Sequence, residues 1–228
     1  MTGALLARPA NELLDAFGAG KATPGSGSAA ALMGILSAKL IRTVCLKSIE
    51  KGKPKASSWF QFIIDQSAES ERKLQEAFTN DSKMFEDAIR HRRERDKATD
   101  RATASQHMRR ANDLLEEGTD GLFEIAEECL KLVDLGVGVF EEGWSHVRGD
   151  AGAAICAAMS GAMSCLFIIS LNAKTLKDRV YASRCMTRCN ELSSRVQAKQ
   201  SKAFSCAGSI SAEALEAIQI SMDMKAAE

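Results

Sequence analysis

A glycine- and serine-rich turn, TPGSGS at residues 23–28, stands directly ahead of a run of small apolar residues. Where such a turn opens a helix, the first backbone N–H groups are unpaired and lie at the positive end of the helix dipole. They can bind a carbonyl, a carboxylate or a phosphate. The turn lacks the Gly-Lys-Ser/Thr of a phosphate loop, and no strand pattern precedes it. The sequence therefore favours a site for a carbonyl or an anion, or a tight turn that binds no ligand, over a nucleotide site.

Cysteine and histidine side chains are the next candidates for chemistry. Cys185 and Cys189 would share one helix face because they are four residues apart. No histidine lies near this pair to complete a metal-binding set, so ordinary thiols are favoured over a metal site. The three histidines fall in no motif. The cysteines are seven, an odd number, and no secretory leader precedes them, which predicts reduced thiols in the cytoplasm.

Length and charge limit the classes of function. The chain has 228 residues, enough to bury a real core, and we predict a single domain over residues 1–228. Thirty lysines and arginines balance 30 aspartates and glutamates, so no net field attracts nucleic acid or an anionic membrane. This balance favours a small-molecule or protein partner.

Composition and apolar spacing predict an all-α fold. Only 3 prolines and 1 tyrosine occur, whereas good helix formers fill long stretches. We predict a short helix at residues 11–17, a largely buried one at 27–49, and a third that begins near Trp59. In the third, TND at residues 79–81 is interpreted as a local N-cap or a kink. Four further helices are predicted, at residues 114–140, 151–171, 176–204 and 211–224.

Two stretches leave alternatives open. Residues 90–110 are dominated by mixed charge, which indicates a solvated helix or a mobile connection, with a basic rim for a polyanionic tail as the alternative. Residues 151–171 carry no charge and are long enough to span a bilayer. Because they are mostly small and a charged helix follows, they favour a central helix in a tightly packed soluble bundle. The Ala, Gly and Ser face of residues 151–164 predicts a homodimer.

Several separated segments resemble one family. TPGSGSAAA, from residue 23, resembles the Pro-Gly-Gly-Gly-Ser-Ala-Ala signature of the formimidoyltetrahydrofolate cyclodeaminase and methenyltetrahydrofolate cyclohydrolase family. DSKMF at residues 81–85 is similar to its Asp-x-x-Ala-Phe segment. GDAGAA at 149–154 and LNAKTLKD at 171–178 are similar to its Ser-Asp-Ala-Gly helix and its Asn-x-Lys-x-Leu-x-Asp close. The order and spacing agree over nearly the whole chain.

The resemblance implies a helical homodimer that acts on a one-carbon unit carried by tetrahydrofolate, without a metal. It implies Asp81 as the catalytic acid/base, and Asp150 as its partner or a helix cap. The implied substrate-binding residues are Pro24, Gly25, Ser26, Gly27, Ser28, Asn172 and Lys174. A carboxylate suits the chemistry because the methenyl bridge is a cationic amidine that an anion can hold and whose attacking water it can deprotonate. Without the resemblance, Asp81 would be read as an N-cap, and Asn172 and Lys174 as a helix end.

Two departures separate this sequence from the family pattern. Ser26 replaces the middle glycine of the loop, which adds a Cβ where the backbone could need positive φ. The Leu-Pro-Lys that many members carry after the Asp-x-x-Ala-Phe segment is absent, and RHRRERDK stands at residues 90–97.

Because the chain carries no fused formiminotransferase domain, we expect a cyclohydrolase that converts 5,10-methenyltetrahydrofolate to 10-formyltetrahydrofolate. The alternatives are a cyclodeaminase, and a divergent folate- or pterin-binding member with lost or altered chemistry. We expect a cytoplasmic protein without nucleic-acid or membrane partners.

Overall fold

The computed structural model describes residues 5–52 and 55–226, and the all-α prediction is confirmed for this part of the chain, which contains no strand. The described residues form six α-helices, which are α1 (Ala10–Gly18), α2 (Ser26–Glu50), α3 (Ser57–Lys97), α4 (Arg101–Glu142), α5 (Arg148–Thr175) and α6 (Arg179–Ala226). A short 3₁₀ helix, Ser145–Val147, leads into α5.

Helices α2 and α5 form the centre of the bundle, and α3, α4 and α6 pack around them. Both central helices bury small side chains, which allows close helix contact. At Gly161 of α5, an added Cβ would lie 2.9 Å from the carbonyl oxygen of Ala30 in α2, so only glycine fits this crossing without movement. The long central small-residue helix that the sequence predicted is α5.

The N-cap predicted at residues 79–81 is wrong, because α3 runs through this segment as one helix. The alternative of a kink stays a prediction. The polar side chains there form hydrogen bonds that leave the helix continuous. Thr79 donates a hydrogen bond to the carbonyl of Gln75 one turn earlier, at 3.1 Å. Asp81 accepts a hydrogen bond from Ser28 of α2. Phe78 and Ser82 are fully buried on either side, so packing against α2 keeps the segment helical.

The charged stretch at residues 90–110 is helical except for a three-residue corner. It ends α3 and begins α4, and Asp100 caps α4 by accepting a hydrogen bond from the Thr103 amide at 2.9 Å. The predicted separation between helices 176–204 and 211–224 is also wrong, because α6 is continuous. Ser209 and Ser211 donate to carbonyls of the preceding turn instead of breaking the helix.

Two helical segments, Ser26–Glu50 and Ser145–Thr175, are long and apolar enough to cross a membrane by length and composition alone. In the folded chain they are the two central helices of the bundle. About half of each apolar window is buried against other helices, 50% and 44% respectively. A core helix passes the same test of length and hydropathy.

Candidate active site

One cavity opens between the N-terminus of α2, the middle of α3, the first half of α4 and the C-terminal end of α5. Its volume is about 250 Å³. The side chains that line it are mainly apolar, and the lining residues are Gly25, Ser26, Gly27, Asp81, Met84, Phe85, Ala88, Arg92, Leu114, Leu115, Gly118, Leu122, Ile168, Leu171 and Asn172. Phe85 and Leu171 are 43% and 60% exposed, so these two residues form an apolar rim at the opening of the cavity.

The loop and Asp81 meet on one wall of this cavity. The Ser28 hydroxyl lies 2.7 Å from Oδ2 of Asp81 and donates to it, although the two residues are 53 positions apart. The same hydroxyl is 2.8 Å from the hydroxyl of Ser82. A Cβ built on Gly27 would stand 2.6 Å from Cγ of Asp81, which is closer than real Cβ contacts allow. Gly27 is therefore the residue that lets the carboxylate approach the first turn of α2.

Burial raises the pKa of Asp81 above its ordinary value, because the cavity wall removes water from the charged form. The hydroxyl and backbone amide of Ser28 act in the opposite direction and lower the pKa. The carboxylate also faces the N-terminal end of α2, where Gly25 provides no side-chain cap. Asp81 is therefore a carboxylate in a mainly apolar wall, and its raised pKa makes it a better base. Such a group is suited to accept a proton.

Asn172 stands across the cavity near the end of α5. Its Nδ2 donates to the Thr119 hydroxyl at 3.1 Å, and that hydroxyl in turn donates to the carbonyl of Leu115 at 2.7 Å. Since the single hydroxyl proton is used on Leu115, Thr119 can only accept from Asn172, which fixes the amide orientation. The Oδ1 atom of Asn172 is thereby left to accept from a bound molecule.

The other loop residues support this wall in different ways. Pro24 is buried and follows a cis peptide bond to Thr23, and it does not line the cavity. The Thr23 hydroxyl donates to Glu86 at 2.5 Å, which ties the loop to α3. Ser26 is the first residue of α2, and no non-glycine residue in the described segments has positive φ. The serine at this position therefore requires no strained backbone.

The structure does not bring Asp150 or Lys174 to the cavity. Asp150 lies in the first turn of α5, whereas Asn172 lies 22 positions later on the same helix, which corresponds to about 33 Å at about 1.5 Å per residue. Within one chain Asp150 cannot be the partner of Asp81, and its location favours an interaction with the helix dipole. Lys174 is exposed in the last turn of α5 and does not line the cavity.

Sequence reasoning missed the stripe of α3 that lines the cavity. Asp81, Met84, Phe85, Ala88 and Arg92 all lie on it. Their spacing of three, four, seven and eleven residues from Asp81 places them on one helix face. This periodicity is present in the sequence. The interpretation of residues 79–81 as a cap or a kink placed a helix boundary at Asp81, so the residues after Asp81 were not assigned to the same helix face.

The chain also contains groups that stand apart from this site. In the segments that the structure describes, no three His, Cys, Asp or Glu side chains cluster as a metal site would require. Cys185 and Cys189 are buried free thiols, and burial raises the pKa of Cys185. A buried thiol with a raised pKa is a poor nucleophile.

Comparison with known proteins points to one family. Residues 9–191 match the model of a family described as formiminotransferase-cyclodeaminase. A methenyltetrahydrofolate cyclohydrolase of Methylorubrum extorquens is 31% identical over 170 residues, which cover 74% of this chain and 81% of that protein. The crystal structure of a formiminotetrahydrofolate cyclodeaminase from Thermotoga maritima has a TM-score of 0.74 and 15% identity, and the match covers 89% of this chain and 97% of the other. The match to the Thermotoga maritima structure shows that the two chains share a fold.

Proposed function

Because the chain belongs to the formiminotransferase-cyclodeaminase family, we propose that it hydrolyses 5,10-methenyltetrahydrofolate to 10-formyltetrahydrofolate. The relative that is 31% identical is named as an enzyme for this reaction. The observation that carries the proposal is Asp81, a carboxylate with a raised pKa on the wall of an otherwise apolar cavity. Tetrahydrofolate is the carrier of the one-carbon unit, and the steps below require no metal.

Asp81 serves as the general base and then as the general acid. Its carboxylate stabilises the cationic bridge and accepts a proton from the water whose oxygen bonds to the bridge carbon. The carbon becomes tetrahedral, flanked by two nitrogens and the new hydroxyl. The bond from this carbon to N5 then breaks, N5 takes the proton from Asp81, and the hydroxyl loses its proton to solvent as the formyl group forms on N10. The balance is one water consumed and one proton released.

The remaining residues hold and orient the substrate. Oδ1 of Asn172 accepts a hydrogen bond from an N–H group of the pterin, and the apolar walls cover its ring faces. The loop of Pro24, Gly25, Ser26, Gly27 and Ser28 positions Asp81 and brings the first backbone amides of α2 to the reacting end of the cavity. Lys174 and Asp150 have no part in this scheme within one chain.

A cyclodeaminase is the second candidate, because the same groups could act on the same carbon. In that reaction N10 attacks the carbon of a 5-formimino group, and the ammonia that leaves must receive a proton from an acid such as Asp81. The family description and the fold of the Thermotoga maritima cyclodeaminase favour this alternative. A divergent member that binds folate without turnover is the third.

We expect purified protein to accelerate the loss of the near-ultraviolet absorbance of 5,10-methenyltetrahydrofolate over the rate in buffer. A parallel assay with 5-formiminotetrahydrofolate should show no release of ammonia. Ammonia release, together with a gain of the methenyl absorbance, would favour the cyclodeaminase instead. Binding of tetrahydrofolate without either reaction would favour the divergent member.

A homodimer is part of this proposal. Many of the small residues of α5, including Ala154, Ala158 and Gly161, are buried within the chain and do not by themselves require a partner. The outer face of α5 is better support for a dimer. It is exposed and wholly uncharged, and its residues are Ala153, Cys156, Ser160, Met163 and Phe167. An uncharged stripe of this length on one helix is typical of a subunit interface.

Sedimentation should therefore show a dimer at micromolar concentration, and Phe167→Glu should shift it to monomer because it buries a charge in the interface. Phe167 is 68% exposed in the single chain, so the substitution should leave the helix content unchanged. Phe62→Glu, at a 56% exposed phenylalanine of α3, is the matched control and should remain dimeric. A stable wild-type monomer would refute the dimer.

The broader expectations are part of the same proposal. A single domain over residues 1–228 is supported by one core cluster to which α2 to α6 all contribute. A cytoplasmic location without nucleic-acid or membrane partners is supported by the balanced charge and by free cysteines throughout the described segments.

A further inference from the structure

Arg92 is a cation on the wall of the candidate active site. It lines the same cavity as Asp81 and is partly buried. Its neighbours in the basic stretch are mostly neutralised: Arg90 pairs with Asp87 at 2.9 Å, and Arg95 with Asp96 at 2.6 Å. Of the residues that the structure describes, none forms an ion pair or a hydrogen bond with Arg92. Its guanidinium is thus available to a ligand.

The cavity is lined by two side chains of opposite charge. Asp81 and Arg92 lie on one face of α3, eleven residues apart, which corresponds to about 16 Å along the helix axis. Both side chains line the same cavity, so a single bound molecule can contact the two charges. Ala88, which lies between them on this face, is small and 4% exposed and also lines the cavity.

We propose that Arg92 is a specificity residue, which binds a carboxylate of the glutamate tail of the folate while Asp81 holds the cationic bridge. This inference rests on the proposed function for the identity of the ligand. The substrate is elongated, with a cation at the bridge and carboxylates at the far end, and the cavity presents the complementary charges in the same order. A guanidinium is well suited to a carboxylate because it can donate two parallel hydrogen bonds.

The size of the cavity supports this orientation. Its volume of about 250 Å³ is below the range of about 300–1,000 Å³ that is usual for ligand pockets. A folate must therefore lie partly outside it, along the apolar rim of Phe85 and Leu171. The tail is the part of the molecule that tolerates water, and Arg92 marks the end at which it leaves the cavity.

The test is the binding of tetrahydrofolate, which carries the tail but has no bridge to hydrolyse. Arg92→Met should raise the Kd by about 10- to 100-fold, the range expected for loss of a hydrogen bond between charged groups. Arg92→Lys should fall between this variant and the wild type. Arg93→Met is the matched control, since Arg93 is exposed, neighbours Arg92 and does not line the cavity. It should bind like the wild type.

A tetrahydrofolate whose glutamate carboxylates are amidated separates the tail contact from a general effect of charge. It should bind the wild type as weakly as tetrahydrofolate binds Arg92→Met, and the substitution should weaken it no further. Equal binding by the Arg92→Met and Arg93→Met variants, an amide that binds the wild type as well as the acid, or no binding of tetrahydrofolate at all would each overturn the inference. Binding that depends on Arg92 but occurs without turnover would instead refute only the hydrolase.

Discussion

Asp81→Asn is expected to lower the turnover of 5,10-methenyltetrahydrofolate by about 100-fold or more, within the usual contribution of a general acid/base group. The amide keeps the shape of the side chain, and its oxygen can still accept the hydrogen bond from Ser28 that the carboxylate accepts at 2.7 Å. It cannot accept a proton from water. Steady-state rates and equilibrium binding of tetrahydrofolate separate the two effects, and binding should change much less than turnover.

Asp65→Asn is the matched control, because Asp65 is an exposed aspartate on the same helix and should retain wild-type turnover. Full turnover in Asp81→Asn would exclude Asp81 from the proton transfers. A loss of helix content in this variant would instead indicate that the carboxylate is needed for the fold.

Asp81→Asn is expected to lower turnover without lowering the free energy of unfolding. The pKa of Asp81 is raised in the folded chain, so the folded state holds this proton more tightly than the unfolded state does. As the pH rises above the unfolded pKa, the unfolded state ionises first, and the free energy of unfolding falls until the folded group has ionised as well. At neutral pH the wild type therefore carries a destabilising charge that Asp81→Asn lacks. Denaturant unfolding at pH 7 should show the variant to be as stable as the wild type or more stable.

Gly27→Ala is expected to lower turnover nearly as much as the loss of the carboxylate, because the new Cβ takes the space of Asp81. Cγ of Asp81 would be 2.6 Å from this Cβ, so the carboxylate must move away from Ser28 and from the end of α2. The substitution itself suits a helix, since alanine has the highest helix propensity. Circular dichroism should accordingly show unchanged helix content while the rate falls.

Gly25→Ala is the control for this variant, in the same loop. The Cβ at position 25 would meet only the carbonyl oxygen of Ala22, at 3.4 Å, which is an ordinary contact. The backbone of Gly25, with φ of −110°, is also accessible to alanine. Equal losses in the two variants would indicate that the loop needs its glycines for flexibility, and not because Gly27 makes room for Asp81.

The helical class and most of the helix positions could be predicted from the amino-acid sequence. The spacing of apolar residues predicted α1 and α2 to within a residue or two, and it identified α5 as the central helix from its small, uncharged composition. The family motifs singled out the loop, Asp81 and Asn172, and these three elements line one cavity. Local composition carries such information because helix propensity and one-sided burial act over neighbouring turns.

The way in which these residues come together depends on how the helices pack. The local sequence around Asp81 favours a cap, yet the residue lies inside a continuous helix, and its carboxylate accepts a hydrogen bond from Ser28, 53 positions away. Arg92 lines the cavity although it belongs to a stretch whose composition indicates a solvated surface, and Asp150 is directed away from the site by the length of α5. Hydrogen bonds and charge pairs between distant helices leave no periodic trace in the chain, because they depend on how the helices cross and not on the neighbours of each residue.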